Sequence, residues 1–209
     1  MPGTSMWSST RWPAEAARAA GLSLALACSA LASTGSPSPT ATSATGAAGA
    51  AASGHPQLPG SRLQGQATLR YWGLRVYQAR LWTPPDFRPE RATEQPLALE
   101  LQYLLDLSGN AIAERSLQEM RRAASISPAQ AERWLTAMQR LFPDVKSGER
   151  LTGVLLPGKG VRFWHNDRLA GEVSDPEFAR LFFGIWLAPT TSEPDMRLTL
   201  LGINDTGKR

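Results

Sequence analysis

The chain is poor in the residues from which most catalytic and metal sites are built. Its 209 residues include one cysteine, Cys28, and two histidines, His55 and His165. His55 lies in a stretch rich in Ser, Ala and Pro, and His165 lies in a predicted hairpin turn, so no common element holds the pair at a metal. A Cys–His nucleophile and a Ser–His–Asp triad are equally unexpected. We therefore predict no metal site, no cofactor and no catalytic residue.

The sequence also lacks a membrane-spanning run and a cluster of basic residues. The apolar run near the N terminus, AAGLSLALACSALA, is shorter than the roughly 20 residues that a spanning helix needs. The formal net charge is +4, but the arginines are interspersed with Asp and Glu and form no run longer than Arg121–Arg122. Since a nucleic-acid-binding surface needs a clustered basic stripe, we expect no nucleic-acid partner and no transmembrane segment in the mature chain.

The first 32 residues have the layout of a secretory signal peptide. Arg11 and Arg18 precede the apolar run, and the run ends in small residues with a cleavage site after Ala32. This pattern predicts export to the periplasm. Cys28 lies inside the run and offers an alternative, in which the signal is that of a lipoprotein and an acylated Cys28 anchors the chain to the outer membrane.

Composition divides the remainder of the chain. Residues 33–59 are nearly all Ser, Thr, Ala, Gly and Pro, which predicts a disordered tether because so little apolar surface cannot offset the ordering entropy. Residues 60–204 are long enough for one domain with one core, and residues 205–209 are predicted to be a disordered tail. Without a cysteine after signal removal, the domain has no disulfide. We also expect the domain to be a monomer.

Hydrophobic periodicity predicts strands first. The segment GQATLRYWGLRVYQARLW alternates, with a break at Gly73 that indicates either a tight turn or a bulge. In PLALELQYL, one face carries Leu97, Leu99, Leu101 and Tyr103, and the other carries Ala98, Glu100 and Gln102. This alternation predicts a sheet with one dry and one wet face.

Helical signals follow the first strands. Ser108 is a cap for a helix to about Ala123, and Ser127–Gln130 forms a capping box for a helix that ends at Pro143. Three short strands come next, then a helix capped by Ser174 or Asp175 that is apolar over most of its circumference, then a helix from near Ser192 to Gly202. This order predicts an α+β fold with helices on one face of an antiparallel sheet. The many aromatic residues are those of a core or of an apolar cleft between sheet and helices.

Four segments carry a resemblance to a known family. They are GLRVYQARLW, SGNAIAERSLQEM, LTGVLLPGKGVRFWHNDRLAGEV and DPEFARLFFGIWLAPTTSEPDMRLTLLG, in this order between about Leu63 and Gly202. Together they resemble the chalcone isomerase-like family, in its bacterial exported branch. The resemblance implies an open-faced β-sandwich, in which a layer of helices covers a large antiparallel sheet and a ligand cleft lies between them.

The resemblance also implies where a site would lie. The family's enzymes close a flavanone ring without a cofactor, using an arginine, a threonine, a tyrosine, an asparagine and a helical Ser or Thr. The matching positions here are, in that order, Arg62, Trp72, Ile112, Glu119 and Arg180. Most of the hydroxyl and amide groups that would orient the reacting oxygen atoms are therefore replaced.

Three functions follow from the resemblance as expectations. The first is an exported protein that binds a small hydrophobic or fatty-acid-like ligand at these five positions without catalysis, with Arg62 or Arg180 paired to a carboxylate. The alternatives are an active, cofactor-independent isomerase (an intramolecular lyase) and an envelope interaction module. For Arg180, helix geometry indicates the solvent flank, whereas the resemblance indicates the cleft mouth, which we favour.

Overall fold

A six-stranded antiparallel sheet forms the centre of the molecule. The structure, a computed structural model, describes residues 54–203, and each strand pairs with the next along the chain, in the order β1-β2-β3-β4-β5-β6. The strands are β1 Arg62–Tyr71, β2 Leu74–Thr83, β3 Leu97–Tyr103, β4 Arg150–Leu156, β5 Gly160–His165 and β6 Arg168–Val173. A 3-10 helix, Pro89–Glu94, joins β2 to β3.

Four helices complete the fold. They are α1 Gly109–Ala123, α2 Pro128–Leu141, α3 Pro176–Leu187 and α4 Pro194–Leu201. Leu81, Leu99, Gly153 and Phe163 are cross-strand partners on the sheet face that the helices cover. Gly153 leaves room there for the ring of Phe183 from α3, which lies 3.4 Å from where a side-chain carbon would begin. The α+β class predicted from the sequence is confirmed.

The β1–β2 connection is a tight turn rather than a bulge in one bent strand. Trp72 and Gly73 are its two central residues, with φ angles of 50° and 80°. Positive φ at both positions is the signature of a type I′ hairpin turn, whose twist matches the twist of the flanking strands. A glycine adopts this conformation without strain, whereas a tryptophan does so rarely.

The predicted caps at Ser108 and Ser127 are confirmed, and of the two residues predicted for the third cap, Ser174 and Asp175, the structure selects Asp175. Ser108 Oγ accepts a hydrogen bond from the Ala111 amide at 3.2 Å, Ser127 and Gln130 form the reciprocal capping box, and Asp175 caps α3. The last helix differs, since it begins at Pro194, two residues beyond the predicted start, and its N-cap residue makes no side-chain cap.

Helix α3 buries its aromatic residues against the sheet and α2. Phe178 stacks on Phe182 at 5.6 Å between ring centroids, and Phe182 packs edge-on against Phe163 of β5 at 5.1 Å. This packing shows that the Phe, Leu and Trp residues of α3 belong to the hydrophobic core. In residues 54–203 no helix combines the length and the apolar character needed to cross a bilayer.

The outer face of the sheet is less wet than its alternation predicted. Glu100 is only 8% exposed and Ala98 is fully buried. Residues 54–59, which the sequence placed in the tether, fold back onto this face, and His55 is 3% exposed. Its Nε2 lies 3.5 Å from a Glu100 carboxylate oxygen. The predicted signal peptide, residues 33–53 of the predicted tether, and residues 204–209 lie outside the described residues.

Candidate functional site

The structure places the first two predicted site residues at opposite ends of β1. Arg62 begins β1 and is exposed, and Trp72 lies in the hairpin turn at the other end of that strand, with 89% of its surface exposed. Ten residues of strand span roughly 30 Å. Neither residue contributes to an enclosed site between the sheet and the helices.

Ile112 and Glu119 lie on the inner side of α1, seven residues or about two helical turns apart. Each is 8% exposed. Ile112 adds only apolar surface, whereas Glu119 is the centre of a polar cluster. We call this group of six residues the Glu119 cluster, and it comprises Tyr77, Arg115, Glu119, Trp186, Ser192 and Glu193.

The Glu119 carboxylate is held from three directions. Arg115, one turn earlier on α1, lies 2.6 Å from one of its oxygens. Arg122 lies 3.4 Å from the other oxygen, which also accepts a hydrogen bond from Ser192 Oγ at 3.0 Å. A buried carboxylate needs such partners, because its desolvation is costly.

Tyr77 of β2 lies on the helix-covered face of the sheet, and its hydroxyl oxygen accepts a hydrogen bond from Trp186 Nε1 at 2.9 Å. Burial raises the pKa of Tyr77 well above its ordinary value, and the bond from Trp186 only partly opposes this effect. The hydroxyl therefore stays protonated at neutral pH. Within residues 54–203 it makes this single hydrogen bond, as an acceptor, so its own proton is available to another group.

Glu193 introduces a second carboxylate into the Glu119 cluster. Partial burial raises the pKa of Glu193, and repulsion from Glu119 raises it further, while Arg115 acts in the opposite direction. The electrostatic environment of this cluster thus combines one half-exposed arginine, two acids and three neutral hydrogen-bonding side chains. It can hold a polar head group at the edge of an apolar layer.

Arg180 is exposed on α3. It precedes Trp186 by six residues, so the two side chains point about 120° apart around the helix axis. Arg180 therefore faces away from the Glu119 cluster, as helix geometry indicated, and the cleft-mouth placement finds no support.

Four residues of the Glu119 cluster were not singled out by sequence reasoning: Tyr77, Arg115, Ser192 and Glu193. Tyr77 had a usable signal, because a tyrosine that alternates with Ala79 and Leu81 on a core face must find a partner for its hydroxyl. Arg115 follows from Glu119 by the i, i+4 spacing of helical ion pairs. Ser192 and Glu193 lie in a connection, where no periodicity predicts their position.

Comparison with known proteins reveals three similarities. A profile of the family described as chalcone isomerase-like matches residues 53–202. An uncharacterized protein of Haemophilus influenzae is 30% identical over 132 residues, or 63% of each chain, so this chain spans less than two thirds of that relative's length. The crystal structure of a fatty-acid binding protein from Arabidopsis thaliana, AtFAP1, superposes with a TM-score of 0.53 at 12% identity, covering 73% of this chain and 94% of that chain.

These similarities agree with the architecture. At 12% identity the likeness to AtFAP1 shows the fold alone, which is the open-faced sandwich of sheet and helices that the resemblance implied. The family profile begins one residue before the described chain and ends at Gly202, the C-cap of α4. It thus spans every strand and helix of the fold, and the chain belongs to the chalcone isomerase-like family.

Proposed function

We propose that this protein is exported and binds a small hydrophobic, fatty-acid-like ligand between its sheet and helices without catalysis. The observation that carries the proposal is the Tyr77 hydroxyl, whose proton makes no hydrogen bond within residues 54–203 and which lies near enough to Arg115 to be affected by its charge. A hydroxyl donor and a guanidinium are the groups that recognise a carboxylate. The fatty-acid binding of the similarly folded Arabidopsis protein supports the same ligand class.

Arg115 can take part in such binding because Glu119 has a second cationic partner. When Arg115 turns toward a ligand carboxylate, Arg122 and Ser192 still hold Glu119. The side chain of Arg115 is 36% exposed, so it has room to move. This arrangement keeps every buried charge paired, which a buried carboxylate requires.

The absence of catalysis is supported by where the replaced positions lie. Trp72 is at an exposed turn, Ile112 is apolar, and the carboxylate of Glu119 is occupied by ion pairs. No set of oriented hydroxyl and amide donors of the kind that would stabilise a developing oxyanion is formed by these three residues.

The first test measures binding of oleate by the change in tryptophan emission of the purified protein. Arg115→Gln should weaken binding by about 1.5–3 kcal/mol, the range for a hydrogen bond to a charged group. Arg180→Gln is the matched control, because that arginine is exposed on another face, and it should bind as the wild type does. Equal binding by both variants would contradict the role of Arg115. The absence of both co-extracted lipid and any response to oleate would contradict ligand binding itself.

The export part of the proposal rests on the N-terminal sequence pattern and has a separate test. We expect the protein in the periplasmic fraction, with a mature N terminus at Ser33 found by mass spectrometry. A diacylated Cys28 in the membrane fraction would indicate the lipoprotein alternative on the outer membrane. An intact N terminus in the cytoplasmic fraction would contradict export.

A further inference from the structure

Two large apolar side chains project from the tip of the β1–β2 hairpin. We call residues 70–75 the hairpin tip. Trp72 is 89% exposed and Leu74 is 65% exposed, and the other exposed large apolar side chains of residues 54–203 lie outside this turn: Leu63, Leu169 and Ile203. Single exposed apolar residues are common, but a nearly bare tryptophan next to an exposed leucine at a protruding turn is not.

The tryptophan also occupies a position that favours a different residue. Trp72 has a φ of 50° at the first central position of a type I′ turn. Asn, Asp and Gly are the residues that adopt this conformation readily. Its ring lies beside that of the adjacent Tyr71, at 6.3 Å between centroids. The core therefore gives no reason for a tryptophan at this position.

The charges of the hairpin tip are arranged in an equally unfavourable way. Arg70 and Arg75 are direct cross-strand partners, and both are exposed. Like charges in this position destabilise a hairpin. Among residues 54–203, no carboxylate lies within ion-pairing distance of either arginine. In the loops after β3 and before β4, by contrast, Asp106 is paired with Lys146 at 3.0 Å.

We propose that the hairpin tip docks on the surface of an anionic lipid bilayer. Tryptophan prefers the interface between head groups and acyl chains, leucine partitions into the acyl region, and two arginines bind lipid phosphates through paired hydrogen bonds. The same features that are unfavourable in water become favourable there. The positive charge of the hairpin tip favours an anionic surface. Its apolar apex is narrow, so it favours a partner that can deform around it, as a bilayer does.

Docking would also orient the protein. Leu74 precedes Tyr77 by three residues of strand, or about 10 Å. The Glu119 cluster would then face the bilayer at a short distance. The inference does not depend on the proposed ligand, since the hairpin tip shares no residue with that cluster.

The test compares full-chain proteins on vesicles of phosphatidylglycerol and of phosphatidylcholine. Trp72→Asn combined with Leu74→Thr removes the apolar tip but gives the turn its preferred Asn-Gly sequence, so the variant should fold at least as well as the wild type. We expect the wild type to show a blue shift of emission and quenching by brominated phosphatidylglycerol, and the double variant to lose this component. Any contribution from other parts of the chain is common to both proteins.

Single substitutions of the two arginines of the hairpin tip, with one control substitution, complete the test. Arg70→Gln and Arg75→Gln should each lower partitioning into phosphatidylglycerol vesicles about fivefold, and added salt should reduce the difference. Leu169→Thr, which removes an exposed leucine elsewhere, should change nothing. Equal binding by the wild type and the double variant would overturn the inference. So would equal partitioning into both lipids, or a tip-dependent dimer seen by sedimentation without vesicle binding.

Discussion

At the scale of single residues, Tyr77 and Tyr103 form a natural comparison. Their rings are 5.9 Å apart and both are buried. Only the Tyr77 hydroxyl is hydrogen-bonded within the described chain, to Trp186. The two residues therefore separate the effect of a buried ring from the effect of a buried hydrogen bond.

Tyr77→Phe should destabilise the fold by about 1–3 kcal/mol, because it leaves Trp186 Nε1 buried without an acceptor. Tyr103→Phe, the matched control, should change the free energy of unfolding by no more than about 0.5 kcal/mol. Urea unfolding monitored by circular dichroism measures both values. Equal losses in the two variants would mean that the Trp186 bond contributes nothing.

Glu193 leads to a prediction of how the stability of the fold depends on pH. Its pKa in the folded protein is raised above the ordinary value of 4.5, so the folded state binds a proton more tightly than the unfolded state does. Ionised Glu193 therefore lowers stability at neutral pH, and this loss disappears once the pH falls below about 4.5.

Glu193→Gln should accordingly raise the melting temperature at pH 7 and have no effect near pH 4. Melting curves of the wild type and the variant across this pH range test the sign directly. Asp195→Asn, which changes a neighbouring carboxylate to an amide, controls for a general charge effect. A gain that persists at pH 4 would contradict the assignment to Glu193.

At the scale of secondary-structure elements, the sequence predicted those helix ends that are fixed by hydrogen bonds between residues close together in the chain. Ser108, Ser127 and Asp175 cap helices through atoms within three residues. Sequence reasoning found the first two and narrowed the third to Ser174 or Asp175. The start of α4 was predicted near Ser192 and lies at Pro194, while the Ser192 side chain bonds to Glu119, 73 residues away. A cap signal cannot reveal that competing tertiary partner.

Asp175 links two elements and allows the cap to be tested. One carboxylate oxygen accepts hydrogen bonds from the amides of Glu177 and Phe178, and the other accepts from Trp134 Nε1 of α2 at 2.8 Å. Asp175→Asn keeps an oxygen for the cap but not both acceptors, so it should cost about 1 kcal/mol. Asp175→Ala loses all three bonds and should cost about 2–3 kcal/mol. Chemical denaturation separates the two, and identical values would contradict a capping role.

At the scale of the whole molecule, the sequence could predict the layers but not their contents. Alternation and helical spacing are properties of one segment, and they led to the α+β fold. The Glu119 cluster is assembled from β2, α1, α3 and the α3–α4 connection, with Tyr77 and Trp186 separated by 109 residues. The family resemblance drew attention to Glu119 because it carries positional information that periodicity lacks, and the role of Glu119 in a ligand site stays a prediction. The resemblance placed Trp72 and Arg180 in a site that they do not join.

Amino-acid composition was equally limited as a guide to where residues 54–59 lie. Their sequence resembles a linker, yet His55 contacts Glu100 of β3. Burial by itself raises the pKa of Glu100, but the hydrogen bond from His55, together with Arg80, outweighs burial and holds this pKa below its ordinary value. The Glu100 contribution to stability is therefore present above the unfolded pKa and is lost as the pH falls through the folded pKa.

A chain that begins at Gly60 should be less stable than one that begins at Ser53, and the difference should shrink in acid. Removing residues 53–59 takes away His55 and uncovers the outer face of β3. Denaturation of both chains at pH 7 and at pH 3 measures the difference, and His55→Ala in the longer chain shows how much of it belongs to one side chain. Equal stability of the two chains at pH 7 would mean that residues 53–59 contribute nothing to the fold, as expected of a tether.

The contact between β1 and α4 determines when folding can finish. A methyl group on Gly65 would overlap the carbonyl oxygens of Thr199 and Leu200, and Gln64 Nε2 donates to the Leu201 carbonyl at 2.8 Å. The first strand is thus held by the last helix. In a chain delivered from its N terminus, by a ribosome or through a translocation channel, β1 and β2 emerge long before α4 does. Resistance to proteases should therefore arrive late and in one step, when Gly202 is released, and a stalled chain that ends before Ser192 should remain open to cleavage along β1.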